Sequence, residues 1–280
     1  MNKINSSSKN FLFFLLLVLF LVESCTSHLQ QAKNLYARGT EQARYYQTET
    51  AQACFKKARM EAELETKKQP SAQAFTLKGM AEVKLELWDK AKESFLQAFS
   101  YGFESGEEWS RQLSLFGLAI SFQEMGLNNS ALNIYYYLIK QSRFSPIVQL
   151  AAHKYTELSL TQTLEKLDDE REKLLDSLLK TLDSLISKNL GCGFYHYLRS
   201  QILGHREEFS KSFEAAVMAR ELGLPTVEIL RDNDNQIIYC YKKLKSSFSS
   251  TDFEEFFSLY QQWIKKWNWR GPETPDWKLR

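Results

Sequence analysis

An all-α fold built as an α-solenoid of stacked helical hairpins is predicted by three observations: the residue mix, a repeat at an offset of forty residues, and the breaks between repeats. The chain has 280 residues, 44% hydrophobic and 25% charged, the balance of an ordinary globular protein. Five Pro and eleven Gly are few for a loop-rich β-sandwich, and long stretches rich in Leu, Ala, Glu, Lys and Gln favour helix. Thirty-six basic against thirty-four acidic residues leave a net charge of +2. That is too balanced for a whole-molecule field to draw the chain onto nucleic acid, so no nucleic-acid partner is expected.

The first segment reads as an export signal. Lys3 and Lys9 precede an unbroken apolar run from Phe11 to Val22, followed by Glu23, Ser24 and Cys25. Twelve apolar residues in a helix rise about 18 Å, short of the roughly 30 Å that a spanning helix must cross. The run Val22-Glu23-Ser24-Cys25 resembles the lipobox of bacterial lipoproteins, in which the Cys is acylated and becomes the mature N-terminus; Val22 and Ser24 fit it and Glu23 departs from it. The resemblance implies a signal peptide over residues 1–24, palmitate-type lipid on Cys25, and a lipidated N-terminus and linker over 25–31. With no Asp after Cys25, it also implies a bacterial outer-membrane anchor, facing the periplasm. Ordinary signal cleavage and an uncleaved anchor are the alternatives. With Cys25 committed to lipid, Cys54, Cys192 and Cys240 remain, either as one disulfide with one free thiol or as three buried small hydrophobes.

The repeat comes next. Gly39, Gly79 and Ala119 align at the offset of forty, as do Ala51, Ala91 and Ala131, and Phe55, Phe95 and Tyr135. Leu35, Phe75 and Leu115 flank the first half; Ala58, Ala98 and Leu138 flank the second. Each half carries helical spacing on one face, so each unit is a hairpin. The small residues let two backbones close to the short end of the 8–10 Å packing distance, and the aromatic fills the space beside them. A lone hairpin cannot bury its second apolar face, so the hairpins stack.

These positions resemble the tetratricopeptide repeat family. The third unit matches best, through Leu115, Leu118, Ala119, Phe122, Gly126, Ala131, Tyr135 and Leu138, with Pro146 after its second helix. The second unit keeps Phe75, Gly79, Trp88, Ala91, Phe95 and Ala98 but has Lys78 and Glu82 where large apolar residues are usual; the first has Arg38 and Gln42 there. Beyond Pro146, Val148 to Thr163 and Leu164 to Lys188 read as a fourth helix pair, ended by Gly191-Cys192-Gly193. Gly204, Phe209, Phe213 and Ala216 mark a fifth, closed by Leu222-Gly223-Leu224-Pro225. About five hairpins thus occupy residues 32–225. Residues 226–280 read as a capping helix pair and a Trp-rich tail, with Asp252 as an N-cap, Glu255 three residues later, and Pro272 and Pro275 in the extended end.

Enzyme signatures such as GxSxG, GxxxxGK[ST], HExxH and CxxC are absent from the sequence, so no catalytic residue, cofactor or metal is expected. Cys192 and His196 have i, i+4 spacing but need a third ligand, for which His205 is the nearby candidate. The run from Glu165 to Leu174 reads as a solvated helix face with ion pairs. Family geometry implies instead a concave face lined by first-helix positions: Lys33, Tyr36, Thr40 and Arg44; Gln73, Thr76, Met80 and Lys84; Leu113, Phe116, Ile120 and Glu124. A gradient from basic to apolar suits an extended peptide or a partner's amphipathic helix. Phe116 and Ile120 packing against a neighbouring helix is the competing reading. Trp263, Trp267, Trp269 and Trp277 crowd the C-terminal end, with Trp263 and Trp267 on one helix face, as a cap on the array, a docking site or a bilayer contact. The expected function is therefore a membrane-anchored scaffold binding another envelope protein. The alternative is a transport accessory that pairs with a solute-binding protein and holds a small hydrophobic ligand.

Overall fold

The computed structural model describes residues 27–163, 166–247 and 250–269. Cys25, Pro272, Pro275 and Trp277 lie outside them. Among the described residues there are twelve helices and no strand. The chain forms two compact units, Met1–Ile147 and Val148–Arg280. The residues expected as one array over 32–225 are thus shared between the two.

The first unit holds three hairpins: α1 (His28–Arg44) with α2 (Thr48–Lys68), α3 (Ala72–Lys84) with α4 (Trp88–Tyr101), and α5 (Glu108–Glu124) with α6 (Asn128–Gln141). Each helix packs on its successor, and α3 also touches α1 and α5, so the three first helices form one layer. Ser27 starts α1 by accepting a hydrogen bond from the Gln30 backbone N–H at 3.2 Å, and Ser71 does the same for Ala74 at the start of α3. With Ser27 as cap, α1 begins at His28, inside the segment expected to be linker.

The second unit contains α7 (Ser145–Thr163) from Val148 onward, α8 (Asp168–Lys188), α9 (Gly193–His205), α10 (Phe209–Leu222), α11 (Val227–Ser247) and α12 (Ser250–Lys266). Within it α9 packs on α8, α10 and α11, and α10 packs on α11. The ring of Tyr241 on α11 stacks on Tyr260 of α12 at 4.2 Å, and Phe213 of α10 meets Tyr260 edge-on at 5.8 Å. Because α12 begins at Ser250, Asp252 lies inside its first turn and is not the N-cap.

The first two hairpins of the first unit are closed by an aromatic ring standing on glycine; in the third, Ala119 holds the glycine's place. A Cβ on Gly39 would lie 2.8 Å from the Phe55 ring, and one on Gly79 would lie 2.7 Å from Phe95. The same Phe95 ring would meet a Cβ on Gly117, in the next hairpin, at 2.2 Å. Phe95 is fully buried and so joins two hairpins as well as two helices.

Two of the four departures from the apolar pattern also find a cause. Glu82, buried, accepts a 2.6 Å hydrogen bond from Ser94, and Gln42 accepts one from the Cys54 thiol at 3.2 Å. The corresponding residues of the third hairpin, Phe122 and Ile134, are both apolar and pack against one core cluster. Burial raises the Glu82 carboxyl above its usual range, opposed by the Ser94 bond and the charges of Lys78 and Arg59.

Turns within hairpins share one geometry that the residue types conceal. Tyr46, Glu86 and Gly126 follow one another at the offset of forty with φ of 59°, 59° and 76°. Glu207 adopts 60° in the corresponding turn of α9 and α10. In each, the next backbone N–H reaches back to a first-helix carbonyl: Gln47 to Gln42, Leu87 to Glu82, Leu127 to Phe122 and Glu208 to Leu203, at 2.8–3.1 Å.

Two measurements check this account. Gly117→Ala should destabilise the protein by about 2 kcal/mol in urea unfolding, and the loss should shrink when Phe95→Leu is added, because the cost lies in their contact. Glu86→Gly should raise stability by about 0.5–1 kcal/mol by relieving the left-handed conformation, while Gly126→Ala should lower it.

Candidate functional site

The first-helix layer brings the expected binding positions onto neighbouring helices and grades them by depth. Arg44, Lys84 and Glu124, at the C-terminal ends of α1, α3 and α5, are exposed. Tyr36, Leu113 and Ile120 are half-buried and pack against the core cluster of Met80, Val83, Ala91, Phe95 and Leu118. Burial pushes the Tyr36 phenol up to about 12, and its ring lies 5.5 Å from Phe55. Lys33 donates to the Gln73 side chain at 3.3 Å and ties α1 to α3.

Three of the expected positions are closed. Thr76 is 2% exposed, donates to the Ala72 carbonyl at 2.7 Å, and sits in a buried hydroxyl cluster with Ser114 at 2.7 Å and Ser110 at 3.1 Å. Small hydroxyl residues at the contact bring α3 and α5 together there and leave no room for a partner side chain. Met80 and Phe116 are 9% and 7% exposed, and Phe116 tilts against Tyr135 at 5.9 Å. What remains accessible is an aromatic and aliphatic strip of Tyr36, Leu113 and Ile120, with Arg44, Lys84 and Glu124 at its edge.

In the second unit, Trp263 and Trp267 stack in near-parallel planes 6.3 Å apart, and Trp263 also tilts against Phe213 at 5.5 Å. Arg220 on α10 lies over Trp267 at 4.8 Å and over Trp269 at 5.3 Å. Its guanidinium pairs at 3.1 Å with Asp234 of α11, a carboxylate with no exposed surface. Burial lowers the Arg220 pKa, and the charges of Asp234 and Glu221 oppose that shift. Trp267 Nε1 donates to Glu221 at 2.6 Å, and Lys266 pairs with the same carboxylate; these bonds hold Glu221 below the usual carboxylate range. Both Trp263 and Trp267 therefore help seat α12 on α10 and α11. Arg220, Asp234 and Glu221 carry no sequence signal of this role, since each sits in a polar helical run.

Cys54, Cys192 and Cys240 are free thiols. Cys54 and Cys240 are buried, and Cys240 donates to Ser212 at 3.2 Å. Cys192 is half-buried and receives a 3.7 Å contact from Gln149. Among the described residues no three His, Cys, Asp or Glu side chains converge as a metal site, so Cys192, His196 and His205 do not assemble one. No helix among the described residues is long and apolar enough to cross a membrane. A hollow of about 390 Å³ between α5 and α6 is lined by Glu108, Arg111, Gln112 and Arg143; another of similar size, bordered by α2, α3 and α4, by Arg59, Lys78, Glu82 and Lys90.

Fold and face define an all-α protein of stacked helical hairpins. No family model matches the chain, and no curated protein matches it. Solved structures that are similar include the tetratricopeptide repeat protein YrrB, described as having an unusual peptide-binding site, at 16% identity and a TM-score of 0.40 over 71% of this chain and 89% of that one. Pseudomonas aeruginosa PilF is similar at 12% identity and a TM-score of 0.48 over 84% of this chain and 100% of that one. A thermophilic tetratricopeptide repeat protein of Thermus thermophilus is similar at 19% identity and a TM-score of 0.44 over 67% of this chain and 97% of that one.

Removing one partner of the buried ion pair tests the C-terminal assembly. Asp234→Ala leaves the partly exposed Arg220 without its carboxylate and should cost about 2–3 kcal/mol, read in urea unfolding through tryptophan emission. A loss below about 1 kcal/mol would show that the pair does not hold α12 in place.

Proposed function

We propose that the chain is a non-catalytic, membrane-anchored scaffold of the bacterial envelope that binds a peptide or an amphipathic helix of another envelope protein on its first-helix layer. The observation that carries this reading is the accessible strip of Tyr36, Leu113 and Ile120 edged by Arg44, Lys84 and Glu124. Half-buried aromatic and aliphatic groups give a partner's apolar side chains a seat, while charges of both signs at the edge fix its direction. Their seats belong to a packed core, so the strip is held rigid before the partner arrives.

The anchoring half of the reading rests on the sequence. The apolar run from Phe11 to Val22 and Cys25 after it favour acylation at Cys25 and an outer-membrane, periplasm-facing position. The charged linings of the hollows at Arg111 and Arg59 suit a small hydrophobic ligand poorly, whereas a larger hollow of about 550 Å³ beside Phe194, Leu224 and Pro225 is uncharged and is where such a ligand would sit.

A photo-reactive amino acid at Ile120 or Leu113, in the native cell, should capture one discrete polypeptide, and Tyr36→Ala with Lys84→Glu should reduce that capture by about tenfold or more. Position 116 is the matched control, because its side chain is closed. Capture at 116 but not at 113 or 120, or no polypeptide at any of them, would refute this binding face.

A further inference from the structure

The outer face of α2 carries a feature that the repeat does not require. Met60 and Leu64 are 60% and 45% exposed, one turn apart on this helix. At about 100° per residue, Lys56, Lys57, Met60, Leu64, Lys67 and Lys68 share an arc of about 120° that points away from the buried residues Ala51, Phe55, Ala58 and Ala62. Between Lys56 and Lys68 no carboxylate falls in the arc, although Glu63 at its margin pairs with Lys67 at 3.1 Å. At the corresponding positions of α4 stand Leu96, Gln97 and Ser100, and α4 ends at Tyr101 where α2 runs on to Lys68, so neither the lysines nor their pairing with apolar groups is a property of the repeat.

The position of Cys25 relative to α1 singles out the occupant. Ser27, the cap of α1, is two residues beyond Cys25 and five beyond the end of the apolar run. An extended chain covers at most about 3.6 Å per residue, which keeps an acylated Cys25 within about 7 Å of the start of α1. His28 at that start lies 2.7 Å from Glu61, on the turn of α2 that also carries Met60 and Leu64. The anchor point and the basic-apolar face therefore belong to the same end of the same hairpin.

We infer that the outer face of α2 rests on the anionic lipid surface to which the chain is anchored, with Met60 and Leu64 entering the headgroup layer and the flanking lysines meeting lipid phosphates. Two exposed apolar side chains and four lysines bind a surface only weakly alone, and the anchor supplies the proximity that makes the contact persistent. This inference rests on acylation of Cys25.

The test uses the full anchored chain in vesicles of phosphatidylethanolamine and phosphatidylglycerol that carry nitroxide-labelled phospholipid. An environment-sensitive fluorescent amino acid in place of Met60 should be quenched, and Lys57→Glu with Lys68→Glu should reduce the quenched fraction by about tenfold. Vesicles of phosphatidylcholine should give the weaker quenching of the double variant. A photo-reactive residue in place of Leu64 should capture phospholipid in cells; a discrete polypeptide or a second copy captured there would overturn the inference. The intact mass of the same sample separates the two readings. An acylated chain that floats with vesicles but shows no quenching at position 60 overturns the surface contact alone, whereas an unmodified Cys25 overturns the anchoring as well.

Discussion

The second and third hairpins of the first unit are joined by one contact, the Phe95 ring held between Gly79 and Gly117. A hairpin needs its two helices at close range, and a stack needs each hairpin to meet the next; one fully buried ring answers both needs. Gly79 gives the ring room within its own hairpin, and Gly117 gives it room against the first helix of the next. The arrangement locks register as well as distance, because a shift of either helix by one residue would set the ring against a side chain that has a Cβ. The same ring borders the cluster that seats Tyr36, Leu113 and Ile120, so the shape of the exposed strip follows from this packing.

Polar residues in the hairpin interiors obey the same economy. Glu82 would be costly alone, yet Ser94 lies across the hairpin to donate to it, and Gln42 meets Cys54 in the same register. In the third hairpin the pair is Phe122 and Ile134. Two residues twelve apart thus change character together, polar with polar and apolar with apolar, and the hairpin keeps its geometry through either solution. In the second unit Ser212 donates to the Ser200 carbonyl across the same separation of twelve residues.

Hairpin existence, order and spacing were legible because packing geometry repeats with the chain: Gly39, Ala51 and Phe55 name their counterparts at every fortieth residue. Turn geometry was legible only at Gly126. Tyr46, Glu86 and Glu207 take the same left-handed conformation without the residue that announces it, because the bond back to the first helix outweighs a local cost of roughly a kcal/mol. Depth was the least legible quantity. Spacing identifies the face on which Thr76 and Phe116 lie, but how near α5 approaches α3 depends on Ser110, Ser114 and Gly117, small residues whose effect appears only when both helices are placed. Gly117 in particular sits two residues from the repeat position at Ala119 and so escapes a search for periodicity. Likewise Arg220 and Asp234 join helices fourteen residues apart, with no periodic signal to link them.

The two proposed surfaces use opposite sides of the first hairpin, and that bears on how they work together. Tyr36 belongs to α1 in the first-helix layer, whereas Met60 and Leu64 point away from the α1 contact on α2. A lipid surface under α2 therefore leaves the strip on α1, α3 and α5 open to a partner. Stacked hairpins transmit constraint from neighbour to neighbour, so the two proposed attachments, at Cys25 and at the lysine face, would together limit rotation of the layer behind the first hairpin. A tether alone fixes distance from the membrane, while a tether with a second contact also fixes orientation. Orientation would matter to the proposed scaffold, because Arg44, Lys84 and Glu124 could select between partner orientations only with their own layer held in a defined attitude to the surface.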